Sequence, residues 1–292
     1  METIKSLQNT TFDTLYIAFN EAFKDYDTQW TKEEFQAMLH RRGFVPELSF
    51  GAFEKEKLVA FTLNGIGLYK NARTVYDTGT GTIKEYRGKG LATKIFEHSL
   101  PYLKEAHIET YLLEVLQHNT KAISIYKNMG FKTERAFNYF VQKTENIQTV
   151  DRPLDSSYSI RAVDLSEYKT MENFFDFTPS WQNSFEAINR KAEDFKVLGA
   201  FNANDLVGHC ILEPKSGDLT QIAVSKLHRR KGIASLLFKE IMNYNQHHSI
   251  KIINIQTDCL SITAFLESKN IGITGSQFEM IKEIQVPVHS DL

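Results

Sequence analysis

A strand rich in small residues, Asp77-Thr78-Gly79-Thr80-Gly81-Thr82, runs into Arg87-x-x-Gly90-x-Ala92, and a helical apolar period begins at Leu91. Strand, small-residue loop and helix in that order make an anion site. The small residues let the backbone approach a ligand closely. The first helical turn offers N–H groups that lack an intrahelical acceptor, and the helix dipole favours negative charge. Arg87 and Lys89 add positive charge, so the loop suits a pyrophosphate. The alternative for so short a run is a solvated turn. No Gly-Lys-Ser/Thr stands at the spacing of a Walker loop, and the three-glycine dinucleotide fingerprint is absent.

A second block follows. Tyr111 to Leu116 alternates as a strand that carries Glu114. Asn119-x-x-Ala122-x-x-x-Tyr126-x-x-x-Gly130-Phe131 reads as a helix that Asn119 or Thr120 caps and Gly130 ends. In composition, order and spacing the two blocks resemble the acetyl-coenzyme A-binding core of the GNAT superfamily, over roughly residues 48–142. The resemblance implies an N-acetyltransferase with acetyl-coenzyme A (acetyl-CoA) as co-substrate. It implies that the backbone of Thr80, Gly81 and Thr82 faces the thioester and pantetheine. The loop of Arg87, Gly88, Lys89, Gly90, Leu91, Ala92 and Thr93 would hold the pyrophosphate, and Asn119 would add a cofactor contact. The family usually has an apolar strand where this chain has Gly and Thr, which fits a bulge or a close backbone approach.

Acetyl transfer to an amine needs three things. The amine must lose a proton, since an alkylammonium has a pKa of about 10. The developing oxyanion needs a fixed donor, expected from a backbone N–H at Thr82 or nearby. The departing thiolate benefits from an acid. By the resemblance Tyr126 is the candidate acid. Glu114 is the candidate base, directly or through water, because Leu112-Leu113-Glu114-Val115 and its distance from Tyr126 resemble the pair in ribosomal-protein alanine N-acetyltransferases. Without the resemblance, Tyr126 would read as a core aromatic and Glu114 as a solvated strand-end carboxylate. His118 is a second candidate base. Direct transfer in a ternary complex is the implied route.

The elements that must position these residues occur twice. Arg87-Gly88-Lys89-Gly90-Leu91-Ala92 matches Arg229-Arg230-Lys231-Gly232-Ile233-Ala234, a shift of 142 positions (87 to 229), and Phe96, Ala122 and Gly130 match Phe238, Ala264 and Gly272 at the same shift. Gly51-Ala52-Phe53 matches Gly199-Ala200-Phe201 at 148, which fits a shorter hairpin near 212–219. Such a constant shift indicates duplication. The expected domains are 1–146 and 158–292, with a polar linker at 147–157. Each copy reads as helices, a hairpin, a third strand, the loop, a helix, a strand, a helix and two last strands (Phe131 to Gln142 in the first). That is an α/β mixed sheet with helices on its faces, hence two tandem acyl-CoA N-acyltransferase folds. Thr31 with Glu34 reads as a capping box, and Pro101 as a residue that shortens or bends its helix.

The shift of 142 places Ser268 opposite Tyr126, Gln256 opposite Glu114, Ser261 opposite Asn119 and Ile273 opposite Phe131. Serine and glutamine cannot take those roles, so the second copy reads as degenerate. Its loop, Val224 with Arg229, Arg230, Lys231, Gly232, Ile233 and Ala234, either binds cofactor or persists as a fold element. Completing the acceptor cleft, forming a homodimer and sensing cofactor are the roles open to it.

Composition sets outer bounds. The 292 residues suggest about two domains, and 42% hydrophobic with 24% charged residues suits a globular protein. A net charge of -2 argues against nucleic acid as the main partner. No stretch approaches the ~20 apolar residues of a membrane span, and no His/Cys/carboxylate spacing reads as a metal site. With Cys210 and Cys259 read as small core residues and no signal pattern at the start, a cytoplasmic location is expected. The acceptor is expected to be a small-molecule or peptide amine. Phe19, Phe23 and Tyr26 with Asp25 and Asp27 are candidates for recognising it, against the alternative of an amphipathic helix and a solvated turn. A non-catalytic acetyl-CoA-binding protein is the rival reading, followed by O-acyl transfer or a longer acyl donor.

Overall fold

The structure is a computed structural model that describes residues 2–25, 29–149 and 156–285. In chain order the first copy contains β1 (Thr3–Ser6), α1 (Phe12–Phe23), α2 (Lys32–Arg41), β2 (Phe50–Glu54), β3 (Lys57–Tyr69), β4 (Ala72–Thr82), α3 (Leu91–Glu105), β5 (Thr110–Leu116), α4 (Thr120–Asn128) and β6 (Lys132–Lys143). The second contains β7 (Tyr158–Ala162), α5 (Tyr168–Glu172), α6 (Phe185–Asn189), β8 (Lys196–Asn202), β9 (Asp205–Glu213), β10 (Asp218–Val224), α7 (Ile233–Met242), β11 (Ser249–Gln256), α8 (Leu260–Glu267) and β12 (Ile273–Glu283). Residues 150–155 of the expected linker, and Tyr26 and Asp27, lie outside the described residues.

The chain forms two compact units, Met1–Glu134 with Glu279–Leu292, and Arg135–Phe278. The last strand of each copy is therefore divided. Most of β6 belongs to the second unit, where it pairs antiparallel with β11 from Ser249↔Lys143 to Gln256↔Phe137. The segment from Glu279 belongs to the first, where the Ile284 amide donates to the Glu109 carbonyl at 2.8 Å. Strand order is β1-β2-β3-β4-β5 and then the end of β12 in the first unit, and β12-β6-β11-β10-β9-β8-β7 in the second. One long strand stands where two were expected after Phe131, because no glycine or proline interrupts 132–143.

In the first unit helices cover both faces of the sheet, which is why β3 reads as an almost unbroken apolar run. Leu15, Phe19, Phe35, Met38 and Leu39 of α1 and α2 pack on Phe61 and Leu63. Leu91 and Ile95 of α3 pack on Phe50, Ala52, Val59 and Ala60. Thr31 and Glu34 form the expected capping box. The helix α3 continues through Pro101 to Glu105, since Pro101 is exposed and water can take the carbonyl that proline leaves unpaired. The second unit has one large core that includes Leu219, Leu237, Phe238, Ile252 and Leu266. Cys210 is buried there, whereas Cys259 is half-exposed at the N-cap of α8 rather than in the core.

Two features of β4 position everything downstream. Its antiparallel pairing with β3 passes from Asn64↔Asp77 to Leu63↔Gly79, so Thr78 is an extra residue, a β-bulge. Its parallel pairing with β5 runs only from Thr74↔Thr110 to Tyr76↔Leu112. From Asp77 onward the two strands part. The glycines let helices and loops crowd this region. A Cβ on Gly81 would meet Phe61 Cζ at 2.5 Å and Ala22 Cβ at 3.0 Å, and one on Gly65 would meet the Arg42 carbonyl oxygen at 2.0 Å. The clash at Gly65 is with backbone held by the Ile66 amide donating to Gly43 and the Val45 amide donating to Asn64, so it has no cheap relief. Gly65→Ala should therefore destabilise the protein by about 2 kcal/mol, the scale of overpacking a filled site. A thermal melt should show a fall of roughly 4–8 °C for a unit of this size.

Candidate active site

The glycine loop has the expected shape. Gly88 and Gly90 are left-handed, with φ +81° and +71°, and open space surrounds the position of a Cβ at each. Gly90 is the N-cap of α3 and offers no side-chain acceptor, so the first-turn amides at Leu91, Ala92 and Thr93 have no cap oxygen. Leu91 roots the turn in the core and Ala92 lines the pocket described below. These features fit a diphosphate.

The charges do something different from what their types suggest. Arg87 Nε donates to the Thr82 carbonyl at 3.1 Å, Nη2 donates to the Ala22 carbonyl at 2.8 Å, and Nη1 lies 3.5 Å from the Asp25 carboxylate. The guanidinium ties the end of β4 to the end of α1 and fixes the loop rather than reaching outward. Lys89 pairs with Glu2 at 3.1 Å beside the Tyr86 ring. In the second unit Arg229 makes the same three ties, to the Val224 carbonyl at 2.9 Å, the Phe174 carbonyl at 3.2 Å and Asp176 at 2.9 and 3.0 Å. Arg230 takes the place of Gly88 at φ 64°, Lys231 donates to the Tyr158 hydroxyl at 3.0 Å, and Gly232 caps α7 at φ 88°. Ile233 is buried and Ala234 half-buried against the core.

The second block also resolves into local physics. Asn119 caps α4, its side-chain oxygen accepting from the Ala122 amide at 3.2 Å. At the other end Gly130 is left-handed (φ 89°), its amide donates to Lys127 at 2.9 Å, and the Phe131 amide donates to Tyr126 at 3.0 Å. This is a Schellman closure, and the hydrophobic contact that accompanies it is Phe131 against the Tyr126 ring, 5.6 Å between centroids. Tyr-x-x-x-Gly-Phe thus sets the angle of the tyrosine.

Tyr126 enters a small pocket at the fork of β4 and β5, lined with it by Asp77, Thr80, Thr62, Ala92, Tyr111 and Phe131 among others. Its hydroxyl donates to Asp77 Oδ2 at 3.2 Å. Thr80 Oγ1 donates to the same oxygen at 2.7 Å and lies 3.0 Å from Thr62 Oγ1. Asp77 Oδ1 is buried with no hydrogen-bond partner. Burial pushes the Asp77 carboxyl up to about 6, against the opposing pull of the Thr80 and Tyr126 hydrogen bonds, the Gly79 amide and the Arg42 guanidinium. A regular strand would put residues 77 and 80 on opposite faces. The bulge at Thr78 brings them to one.

Glu114 is held by a neighbouring strand. It accepts the Tyr76 hydroxyl at 2.7 Å and is not among the residues lining the Tyr126 pocket. Burial and the Glu114 charge hold the Tyr76 phenol well above its ordinary value. Of the acceptor candidates, Phe19 and Phe23 belong to an aromatic cluster with Phe35 and Phe61, and Asp25 faces Lys84 and Arg87. The amphipathic-helix alternative holds for these residues. Sequence reading gave Asp77 no role. The available signal was a lone carboxylate inside a strand that must approach a ligand.

The structure also corrects the alignment of the copies. Asn119 and Cys259 are the corresponding N-caps, and the Phe131-to-Tyr126 bond corresponds to the Ile271 amide donating to Leu266 at 3.0 Å. From there on the shift is 140, not 142, because α7 and its following turn are shorter. Leu266, not Ser268, stands for Tyr126, and the pairings Tyr76↔Leu112 and Asp218↔Lys251 put Ile253, not Gln256, at the place of Glu114. Upstream the shift of 142 holds: Thr220 is skipped in the β9–β10 register as Thr78 is in β3–β4, so Leu219 stands for Asp77. Among the described residues no cluster of three or more His, Cys, Asp and Glu could hold a metal, and no helix is long and apolar enough to cross a membrane.

Comparison with known proteins gives the family and the fold. Residues 13–131 match the acetyltransferase (GNAT) family model and residues 160–260 an acetyltransferase (GNAT) domain model. The chain is 26% identical over 132 residues to N-alpha-acetyltransferase 30 of Schizosaccharomyces pombe, covering 44% of this chain and 86% of that one. It is 26% identical over 131 residues to the ribosomal protein bS18-alanine N-acetyltransferase of Escherichia coli, covering 45% and 81%. Whole-chain likeness is one of fold. A GCN5-related N-acetyltransferase from Sphaerobacter thermophilus superposes with TM-score 0.71 at 14% identity, over 97% of this chain and 96% of that one. A tandem GNAT protein from the clavulanic acid biosynthesis pathway superposes with TM-score 0.70 at 12% identity, over 98% and 99%. Two GNAT domains follow one another along this chain, which belongs to the GNAT family of acetyltransferases.

Proposed function

We propose that the first unit transfers acetyl from acetyl-CoA directly to the amine of a peptide or small molecule, with Tyr126 as acid and Glu114 as base. The observation that carries this is the Tyr126 hydroxyl in a pocket at the strand fork, beside the open glycine loop. The similarity to proteins named as N-alpha- and alanine N-acetyltransferases favours an N-terminal amine as acceptor.

The loop amides at 88–93 hold the diphosphate, and Arg87 keeps the loop in shape. Acetyl-CoA supplies the thioester when bound, and the backbone of Thr80 to Thr82 lies along it. Glu114 takes the ammonium proton, directly or through water. The amine nitrogen then forms its bond to the acetyl carbonyl carbon, and a backbone N–H near Thr82 stabilises the carbonyl oxygen. As the carbon–sulfur bond breaks, Tyr126 gives the sulfur its proton. Products are the amide and the free thiol: the nitrogen gives up its first proton through Glu114 and its second to solvent as the amide forms, Tyr126 is reprotonated, and one proton is released per turnover. The second unit has leucines at 219 and 266 and does not turn over.

An amine panel that includes peptides with free N-termini, read by thiol release from acetyl-CoA, tests this. Turnover by no amine would refute it. Tyr126→Phe should lower kcat by about 10²-fold, the range for a lost general acid, with little change in acetyl-CoA affinity by calorimetry. Glu114→Gln should lose a similar factor at neutral pH and recover part of it as pH rises, since more amine is then already neutral.

A further inference from the structure

Asp77 is a buried carboxyl approached by the Tyr126 and Thr80 hydroxyls and by the Gly79 amide, and its Oδ1 has no hydrogen-bond partner. Ionised, it would leave a charge-bearing buried oxygen unsatisfied, which is costly. Neutral, it carries a hydrogen of its own. The bond to Tyr126 can therefore run in either direction, and the direction matters. If Asp77 is ionised, the phenol hydrogen is committed to the carboxylate and the phenol is a weaker acid. If Asp77 is neutral, it donates to the phenol oxygen and frees the phenol hydrogen for the pocket.

A second observation points the same way. The bulge that places Asp77 recurs at Thr220 in the second unit, yet Asp77 and Tyr126 are there replaced together by Leu219 and Leu266, which are 1% and 0% exposed in one apolar core. The fold keeps the bulge without the polar pair. The pair is thus not a requirement of the sheet.

We propose that Asp77 is the positioning residue for Tyr126, its neutral form turning the phenol hydrogen toward the departing sulfur and its ionised form withdrawing it. This rests on Tyr126 being the acid. As Tyr126 gives its proton to the sulfur, neutral Asp77 passes its own proton to the Tyr126 oxygen. It is left as carboxylate and regains a proton from solvent before the next turnover. Burial already lifts this carboxyl to about 6. The other titratable groups facing it are Arg42 at the end of α2, which opposes that rise, and Tyr111 on β5, whose hydroxyl is held by Asn64 at 2.6 Å. Tyr76, which donates to Glu114, also feels the Asp77 charge. The sign is that acid function is present below the Asp77 pKa and lost above it.

Two measurements on the full chain test this. The first needs no acceptor. Ultraviolet titration of phenol ionisation, with Asp77→Asn/Tyr126→Phe as the reference that isolates one tyrosine, should show Tyr126 ionising about one pH unit lower in Asp77→Asn than in wild type, because a neighbouring negative charge is gone. No shift overturns the coupling. The second is kcat against pH with the best amine of the panel. Wild type should lose about tenfold per pH unit on its alkaline side. Asp77→Asn, whose amide can still donate to the phenol oxygen, should stay within about threefold of its pH 6 rate up to pH 8. Thr80→Val, which removes a hydrogen bond favouring the ionised form, should move the wild-type limb to higher pH. An unaltered limb in both variants, or a loss in Asp77→Asn as large at every pH as in Tyr126→Phe, overturns the role of Asp77 and leaves Tyr126 as acid. Full activity in Tyr126→Phe instead removes the reading beneath it.

Discussion

One extra residue, Thr78, shapes the pocket at the fork of this chain's first sheet. A strand alternates its side chains, so a carboxylate and a hydroxyl three residues apart belong on opposite faces. The bulge at Thr78 returns Asp77 and Thr80 to one face at the point where β4 and β5 stop pairing. That point is where a fork in a parallel pair leaves backbone groups and side chains facing a gap rather than a neighbouring strand. The pocket, the tyrosine that enters it and the loop that opens beside it all take their places from that local break in register.

Around the fork, strongly charged residues serve as rigging more than as ligands. Arg87 and Arg229 each bind two carbonyls and one carboxylate, in the same order, in two units with little sequence in common. A guanidinium with five donors in a fixed plane is suited to that, since it can clamp two chain ends at once. What the loop then presents to an anion is backbone: left-handed glycines with open space above them and helix amides without a cap. Helix-terminus amides bind phosphate without a side chain. In the second unit the arginine makes the same ties and the helix-capping glycine keeps the same left-handed turn.

Most of the fold was legible because its signals are local. The capping box at Thr31 and Glu34, the N-cap at Asn119 and the closure at Gly130 are hydrogen-bond patterns within a few residues, and sequence carries such patterns directly. The duplication was legible for the same reason at the glycine loop. Three things were not. The division of the last strands between the units depends on pairing between distant segments, to which composition is blind. The two-residue change in shift between the copies leaves no local mark, and the matching N-caps at Asn119 and Cys259 and closures at Tyr126 and Leu266 reveal it. The contact of Asp77 with Tyr126 depends on a bulge that flips its face, so its neighbours in sequence give no hint of that partner.

The second unit shows what the pair at the fork contributes by what happens without it. Leucine at 219 and at 266 fills the same volumes and joins a continuous apolar core, an arrangement that costs nothing in hydrogen-bond satisfaction and gains apolar burial. In the first unit those volumes hold a carboxyl with one unsatisfied oxygen and a phenol at a long 3.2 Å, which is the less stable choice. The two units have thus settled the same position in opposite ways, one with an apolar pair and one with a hydrogen-bonded polar pair. A polar pair that the fold demonstrably does without, retained where it weakens the core, is most simply explained by the work its hydrogen does.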